Sequence, residues 1–519
     1  MENYKNTEGK GSKMLEGIWK KIKSGSDIRG IAEGSEEKID LSNKVVEKVA
    51  LAFVMWLAKR NNLDYPSITI AVGHDSRNSA SRIKNVIINS LRSLGIKIYD
   101  CALTSTPAMY MSMSVLSCTA SIEITASHHP SDRNGLKFFV SDGGISADEL
   151  SEILEIAQEG SLPSLDKKGT VRFVNLMEYY SEKLRNLILD SIPSEHNKPL
   201  EGFKIIVDAG NGVGGFFAND VLKPLGANIE GSQFLNPDGK FPNHIPNPEE
   251  PEAIKSITEA VKKEKADLGI IFDTDVDRAA VVDCDGHPIS KNRLIALASS
   301  MVLKNNPDSV IVTDSVTSDY LKSFIENLGG SQFRYKRGYH NVIEMAKEIN
   351  SQGENCPLAI ETSGHAAFKE NKFIDDGAYL ACKIVIEMVK LKKENKTFEN
   401  ILAGLVSPKE EITIKIPIKQ APDKSLDEIS IKVLNDFKNS VNSSKHMDLE
   451  KNNIEGIRVN FNYKNNKGWL LLRRSVHDPV LVLYAESYTF NYLKNMLKSI
   501  KPFLAKKSEL DLSNFEKQL

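Results

Sequence analysis

The chain has 519 residues, 41% hydrophobic and 26% charged, and its 67 Lys and Arg against 69 Asp and Glu leave a formal net charge of −2. Such a length exceeds what one core sustains, so three or four domains are expected. Balanced charge gives no electrostatic reason to expect nucleic acid or an acidic membrane surface as partner. Five scattered cysteines (101, 118, 284, 356 and 382) include no CxxC pair, which argues against a disulfide framework or zinc knuckle and fits a reducing cytoplasm.

Residues 1–23 are polar and lysine-rich, lack the apolar core of a secretion signal, and are expected to form a flexible tail. "VALAFVMWLA" (49–58) is too short to span a bilayer and predicts a buried helix. From about residue 67 to 361, the β-branched runs "SITIAV", "SIEIT", "FKIIVDA", "DLGIIF", "SVIVT" and "PLAIE" alternate with amphipathic helical patterns. Strands buried on both faces read this way, so an α/β fold with mainly parallel sheets is predicted. Proline and charge interrupt the alternation at 191–202 and 407–411. After 411, "EITIKIPIK", "GIRVNFNY", "GWLLLRR" and "PVLVLYAE" are separated by turn residues and predict a smaller antiparallel α+β domain.

Three of the buried runs end in chemically capable loops: "SIEIT" in "ASHHP", "LGIIF" in "DTDVD", and "PLAIE" in "TSGH". Ligands of α/β sheets bind beyond the carboxyl ends of strands, so these loops are expected to face one cleft. "DTDVDR" (273–278) sets Asp273, Asp275 and Asp277 at alternate positions. Carboxylates so close repel one another unless a divalent cation neutralises them, and three protein oxygens plus a phosphate oxygen suit Mg²⁺; a solvated acidic turn is the plain alternative. An EF-hand fails, because Arg278 and Cys284 stand where its glycine and glutamate belong. An aspartyl-phosphate hydrolase, with Asp273 carrying the phosphoryl group, is a rival. "GNGVGG" (210–215) fits a dinucleotide fingerprint with Glu230 downstream, but nothing else suggests hydride chemistry, and a tight strand-to-helix turn accounts for the glycines.

No G-x-S-x-G elbow accompanies Ser127. A hydroxyl facing a metal held by three aspartates can instead carry a phosphoryl group. Here the residues resemble the α-D-phosphohexomutase family: "TASHHP" (125–130) is similar to its phosphoserine loop and "DTDVDR" to its metal loop. "ETSGH" (361–365) resembles its sugar loop, and "RRSVHDP" (473–479) its phosphate loop. "SDIRG" (26–30), "VGHDSR" (72–77) and "NGLKFF" (134–139) follow the family order.

The resemblance implies three similar mixed α/β domains (24–195, 196–303, 304–408) and a smaller C-terminal α+β domain (409–519) around a central cleft. It implies phosphorylation of Ser127, and Mg²⁺ bound by that phosphate with Asp273, Asp275 and Asp277. It assigns Glu361 and Ser363 to the sugar hydroxyls, and Arg473 and Ser475 to the non-reacting phosphate. Arg29 and Lys137 would lie near the reacting oxygen, with Lys137 as general acid/base, His365 as the alternative, and an electrostatic anchor the bland role for either. Arg278 would approach the phosphoserine, and His128 would orient its loop. "KRGYHNVIE" (336–344) offers Arg337 and His340 as phosphate contacts, or merely a helix start with a polar face.

The implied reaction converts hexose 1-phosphate to hexose 6-phosphate, of glucose or mannose, through a hexose 1,6-bisphosphate that also serves as activator. Alternatives are a 1,6-bisphosphate synthase, a phosphoglucosamine mutase and an inactive sugar-phosphate-binding scaffold. Sugar phosphates are the expected partners, and the chain is expected to be a cytoplasmic monomer or weak homo-oligomer. Two departures stand out: His129 replaces the family's usual Asn, and His477 replaces its usual Thr. An imidazole at 477 predicts pH-sensitive phosphate holding.

Overall fold

The computed structural model describes residues 15–163, 167–419, 425–442, 444, 446–463, 466–475 and 479–519. The chain forms two compact units. The first comprises residues up to 290 with 363–366 and 374–396; the second comprises 291–362, 367–373 and 397–519. Helix 291–303 thus leaves the segment expected as domain 2, and 374–396 leaves the segment expected as domain 3. Each exchange follows burial: the helix Gly377–Lys393 packs on strands of the first unit, and Lys291–Leu303 packs on elements of the second.

The first unit opens with a helix, Gly17–Ile22, where a tail was expected. Trp19 and Ile22 are buried, with Leu15 and Ile18 against the same core. Their three-and-four spacing is that of one helical face, which the intervening lysines disguise. Strands β1 (Lys23–Ser24), β2 (Asp27–Ile31), β3 (Thr69–His74), β4 (Lys97–Leu103), β5 (Ala120–Ile124), β6 (Arg133–Val140), β7 (Gly143–Gly144) and β8 (Val171–Phe173) form one sheet in the order β1-β2-β6-β5-β3-β4-β8, with β7 on β6. β5, β3, β4 and β8 run parallel, whereas β6 is antiparallel to both β5 and β2. The predicted apolar helix runs from Asn43 to Asn61, capped by Ser42, and buries Val49, Phe53, Val54 and Leu57 against the sheet.

A second sheet in this unit takes the order β12-β11-β10-β9, from β9 (Ile205–Asp208), β10 (Leu268–Phe272), β11 (Ala279–Asp283) and β12 (Pro288–Ile289). β9 and β10 are parallel, while β10 and β11 form a hairpin. Both loops of interest are therefore tips of antiparallel pairs, β5–β6 and β10–β11. Continuous apolar runs reveal strands buried on both faces but carry no sign of their direction.

The second unit has a sheet of order β14-β13-β15-β16, from β13 (Val310–Thr313), β14 (Ser331–Arg334), β15 (Leu358–Ile360) and β16 (Ala366–Phe368). Its other sheet, order β17-β21-β20-β19-β18, contains β17 (Glu410–Pro417), β18 (Met447–Leu449), β19 (Ile457–Tyr463), β20 (Asn466–Arg474) and β21 (Val480–Ser487). It is antiparallel throughout, as predicted. Helices Leu426–Asn442 and Leu493–Leu504 cover one face. The guanidinium of Arg458, 3.5 Å above the Trp469 ring, donates to Ser315 O, Thr317 O and Asp319 Oδ1, joining this sheet to the loop after β13. Among the described residues, no helix is long and apolar enough to cross a membrane.

Candidate active site

Ser127 sits in the β5–β6 connection with φ 49°, left-handed for a residue bearing a Cβ. Several bonds enforce this turn. Thr125 Oγ1 accepts from Ser127 N at 2.8 Å, and the Ser127 carbonyl accepts from Thr274 Oγ1 at 2.8 Å. The fully buried Arg77 guanidinium donates to the carbonyls of Ser127, His129, Pro130 and Arg133, and Nε pairs with Asp75. The planar fork of arginine is what lets one side chain gather so many carbonyls.

The turn delivers the Ser127 hydroxyl to the loop 273–278, where Oγ donates to Asp273 Oδ2 at 2.7 Å. The two predicted loops therefore meet. His128 Nδ1 lies 3.3 Å from Ser127 Oγ and its ring stacks on His129. Burial, then the nearby Arg278, pushes His128 well below its usual pKa, so the ring is neutral. Arg29, on β2, donates to the Thr125 carbonyl and, at 2.8 Å, to Asp27 Oδ2, which ties its guanidinium to the start of the serine turn.

Asp273, Asp275 and Asp277 are wholly buried, and one oxygen from each lies within 4.8 Å of the others. Val276 between them has φ 65°, costly for a β-branched residue and held by a bond from Gly377 N to its carbonyl. Lys137 Nζ bridges Asp275 Oδ2 at 2.9 Å and Asp277 Oδ2. Thr106 donates to Asp275 through both its amide and its hydroxyl. Burial and the neighbouring carboxylates drive Asp273 well above the usual range. The same burial acts on Asp275 and Asp277, but Lys137, joined by the Thr106 hydroxyl at Asp275 and by His365 and Arg278 at Asp277, outweighs it and holds both below that range. Asp275 Oδ1 and Asp277 Oδ1 have no hydrogen-bond partner among the described residues. Asp273 accepts from Ser127 Oγ through Oδ2 and from Arg278 N through Oδ1.

His365 completes this side. Its Nδ1 lies 2.5 Å from Asp375 Oδ2 and 3.8 Å from Asp277 Oδ1, while Nε2 accepts from Arg278 Nε at 2.8 Å. Burial pushes His365 down and Asp375 pushes it up, the upward push prevailing; burial raises Asp375 itself to about 6. The Arg278 contact nevertheless requires a lone pair on Nε2, so it belongs to the neutral ring protonated at Nδ1. Ser363 is buried in the same loop. The glycines of 210–215 are structural: a Cβ on Gly212 would lie 2.6 Å from Thr274 O, and Val213 N donates to that carbonyl. They let the β9 turn press against the loop 273–278.

The remaining predicted residues belong to the second unit. Glu361 Oε1 accepts from Gly338 N at 2.6 Å, and His340 lies in the first turn of the helix Tyr339–Ser351. Arg337 N donates to Glu455 Oε2 at 3.2 Å. Arg473, buried at the end of β20, has Nη1 3.7 Å from Glu455 Oε1, and Ser475 N donates to Val480 O. His477 lies outside the described residues. Sequence reasoning missed Thr106, Asp375 and Glu455, which sit in segments without a recognisable pattern, and passed over Thr274 between the aspartates of "DTDVDR"; Arg77 was visible only inside "VGHDSR".

Three family models match in order: phosphoglucomutase/phosphomannomutase α/β/α domain I over 20–163, domain II over 178–286 and domain III over 290–408. The phosphomannomutase/phosphoglucomutase of Pseudomonas aeruginosa is 31% identical over 444 residues, covering 83% of this chain and 88% of its own length. A phosphoglucomutase/phosphomannomutase family protein from Burkholderia thailandensis superposes with a TM-score of 0.77 at 23% identity, covering 95% of this chain and 99% of its own. The N-acetylphosphoglucosamine mutase of Aspergillus fumigatus, solved with GlcNAc-6P and magnesium, gives 0.52 at 13% identity, covering 92% and 94%. The chain belongs to the α-D-phosphohexomutase family.

Proposed function

We propose that the chain interconverts hexose 1-phosphate and hexose 6-phosphate, of glucose or mannose, through a phosphoserine at Ser127 and a hexose 1,6-bisphosphate. The observation that carries this is the 2.7 Å contact between Ser127 Oγ and Asp273 within a buried carboxylate trio. The names of the relatives support the choice of sugar.

The residues present fit Mg²⁺. Among the described residues two buried carboxylate oxygens lack partners, and the three aspartates outnumber the two cations beside them, Lys137 at Asp275 and Asp277 and Arg278 at Asp273, leaving a charge deficit a divalent cation would fill. Asp273, Asp275, Asp277 and the phosphate on Ser127 would hold it. A bound Mg²⁺ offsets the negative charge of the transferring phosphoryl group.

The chain's own groups do the rest. Arg77 and Thr125 fix the Ser127 turn so that Oγ arrives in one orientation. As the phosphoryl group leaves Ser127 Oγ for a sugar hydroxyl, Lys137, acting as the neutral amine, takes that hydroxyl's proton and passes it to the freed Ser127 Oγ, and the same proton returns to the sugar oxygen when the other phosphate is handed back to Ser127. His365, engaged at both nitrogens, anchors Arg278 beside the phosphoserine. Arg337, Glu361, Ser363, Arg473 and Ser475 serve the sugar and its distal phosphate, and His340 the same phosphate.

Incubation with glucose 1,6-bisphosphate followed by phosphopeptide mapping tests the reading. A label on Ser127 that is chased by hexose phosphate is expected, together with mutase turnover in a coupled assay. A label on Asp273, or none, overturns it.

A further inference from the structure

Glu455 was not singled out by any motif, yet its backbone is forced against the candidate phosphate site. Gly456, with φ 60°, lies so close to β20 that a Cβ there would meet Leu472 O at 2.4 Å and Arg473 Cβ at 2.7 Å. That approach sets the Glu455 carboxylate among donors from three separate segments. Oε2 accepts from Ser315 Oγ, in the loop after β13, and from Arg337 N, in the loop after β14. Oε1 faces Arg473 Nη1 at 3.7 Å. Arg473 is buried, and its Nε has no partner among the described residues.

A hydroxyl, a backbone amide and a guanidinium converging on one point make an anion site. In this structure the anion is the protein's own carboxylate. Arg337 and Arg473 lie within electrostatic reach of each other, and the negative charge of Glu455 beside Arg473 offsets that repulsion.

We infer that Glu455 is a built-in counter-anion that sets the affinity of this site for the distal phosphate of the substrate, holding the arginine loops in place when no phosphate is bound and weakening phosphate binding by competition for Arg473. The inference rests on the reading of Arg337 and Arg473 as phosphate-binding residues. A substrate dianion entering beside Arg473 meets the negative charge of Glu455. Removal of that charge, with the acceptor geometry kept, tightens binding.

Glu455→Gln keeps an oxygen for Ser315 and Arg337 N while deleting the charge. Calorimetric titration of the full chain with inorganic phosphate is expected to show about tenfold tighter binding by E455Q than by wild type, with a lower KM for hexose phosphate. R473A is expected to weaken phosphate, and E455Q to have little effect in the R473A background, because the two groups act on each other. E455D, which keeps the charge, is expected to bind like wild type, and it guards against misfolding as the cause. If R473A binds phosphate as wild type does, the phosphate-site reading falls and the inference with it. If R473A weakens binding while E455Q leaves it unchanged or weaker, Glu455 is a mere structural tether and only the inference is overturned.

Discussion

Lys137→Met is the substitution that most directly probes the carboxylate trio. In the wild-type chain the only cationic atom in contact with Asp275 and Asp277, among the described residues, is Lys137 Nζ, and its side chain is 2% exposed. Methionine keeps much of the aliphatic stem and removes the charge, leaving both carboxylates buried without a counter-ion. Breaking a buried ion pair by removing one partner costs about 3–5 kcal/mol. In chelator, differential scanning calorimetry should place the transition of the first unit well below that of wild type. Excess Mg²⁺ should then restore much of the loss, since a ligand at 100 times its Kd contributes about 2.7 kcal/mol. The gain should exceed that of wild type, where Lys137 already neutralises the same carboxylates. Turnover should not recover with stability, because the proton carrier is gone; general acid–base groups contribute about 10²–10⁴ in rate. Equal unfolding of the two proteins in chelator, or equal stabilisation by Mg²⁺, would refute the account of the trio as a charge-starved cation site.

Arg77→Lys should lower kcat and the yield of phosphorylated Ser127 with KM little changed, because an ammonium cannot gather four carbonyls; the measurement is steady-state kinetics beside the mass of the phosphorylated protein. Asp375→Asn should reduce kcat by at least about tenfold, since an amide can donate to His365 Nδ1 and turn the ring to the tautomer whose Nε2–H opposes Arg278; histidine-selective ¹⁵N spectra should show that change. Asp319 should make the second unit acid-sensitive. Burial pushes its carboxyl up, but Arg458 and Arg334 outweigh burial and hold it below the unfolded value. A depressed folded pKa contributes stability above the unfolded pKa of about 3.9 and loses it as pH falls through the folded value. The stability difference between wild type and D319N, from denaturant titrations, should therefore be constant from pH 7 to about 5 and shrink below about 4; a difference independent of pH would count against the Arg458–Asp319 link.

What the sequence disclosed depended on how locally each feature is encoded. Ser127, Asp273, Asp275, Asp277 and Arg278 occupy two short runs, each at the end of an apolar strand, so their chemistry and their place at a sheet edge could be read together. The buried helix around Phe53 and the antiparallel C-terminal sheet were legible for the same reason, from pattern within one segment. The helix Gly17–Ile22 was not, because two lysines stand between Trp19 and Ile22 and make an amphipathic turn look like a polar tail. The supporting groups were invisible for a different cause. Thr106 reaches Asp275 across 169 positions from a segment with no motif, and Arg77, although part of "VGHDSR", reaches the Ser127 carbonyl across 50, a partner that segment does not advertise.

That division follows from what each kind of residue must do. A group that touches phosphate or metal is constrained to a few side chains at fixed spacing, so it leaves a motif. A group that only fixes such a residue in place can come from any element the fold brings near. His365 shows the consequence: the sequence offered it as an acid/base group, but its contacts on both sides, Asp375 and Arg278, make it the middle of a chain of three. Glu455 shows it again, since a carboxylate placed against Arg473 by the close approach of Gly456 reads, in sequence, as one charged loop residue among many. On the proposed reading the reacting atoms are written in the motifs, whereas their orientation, and the affinity inferred for the phosphate site, depend on residues whose role exists only after folding.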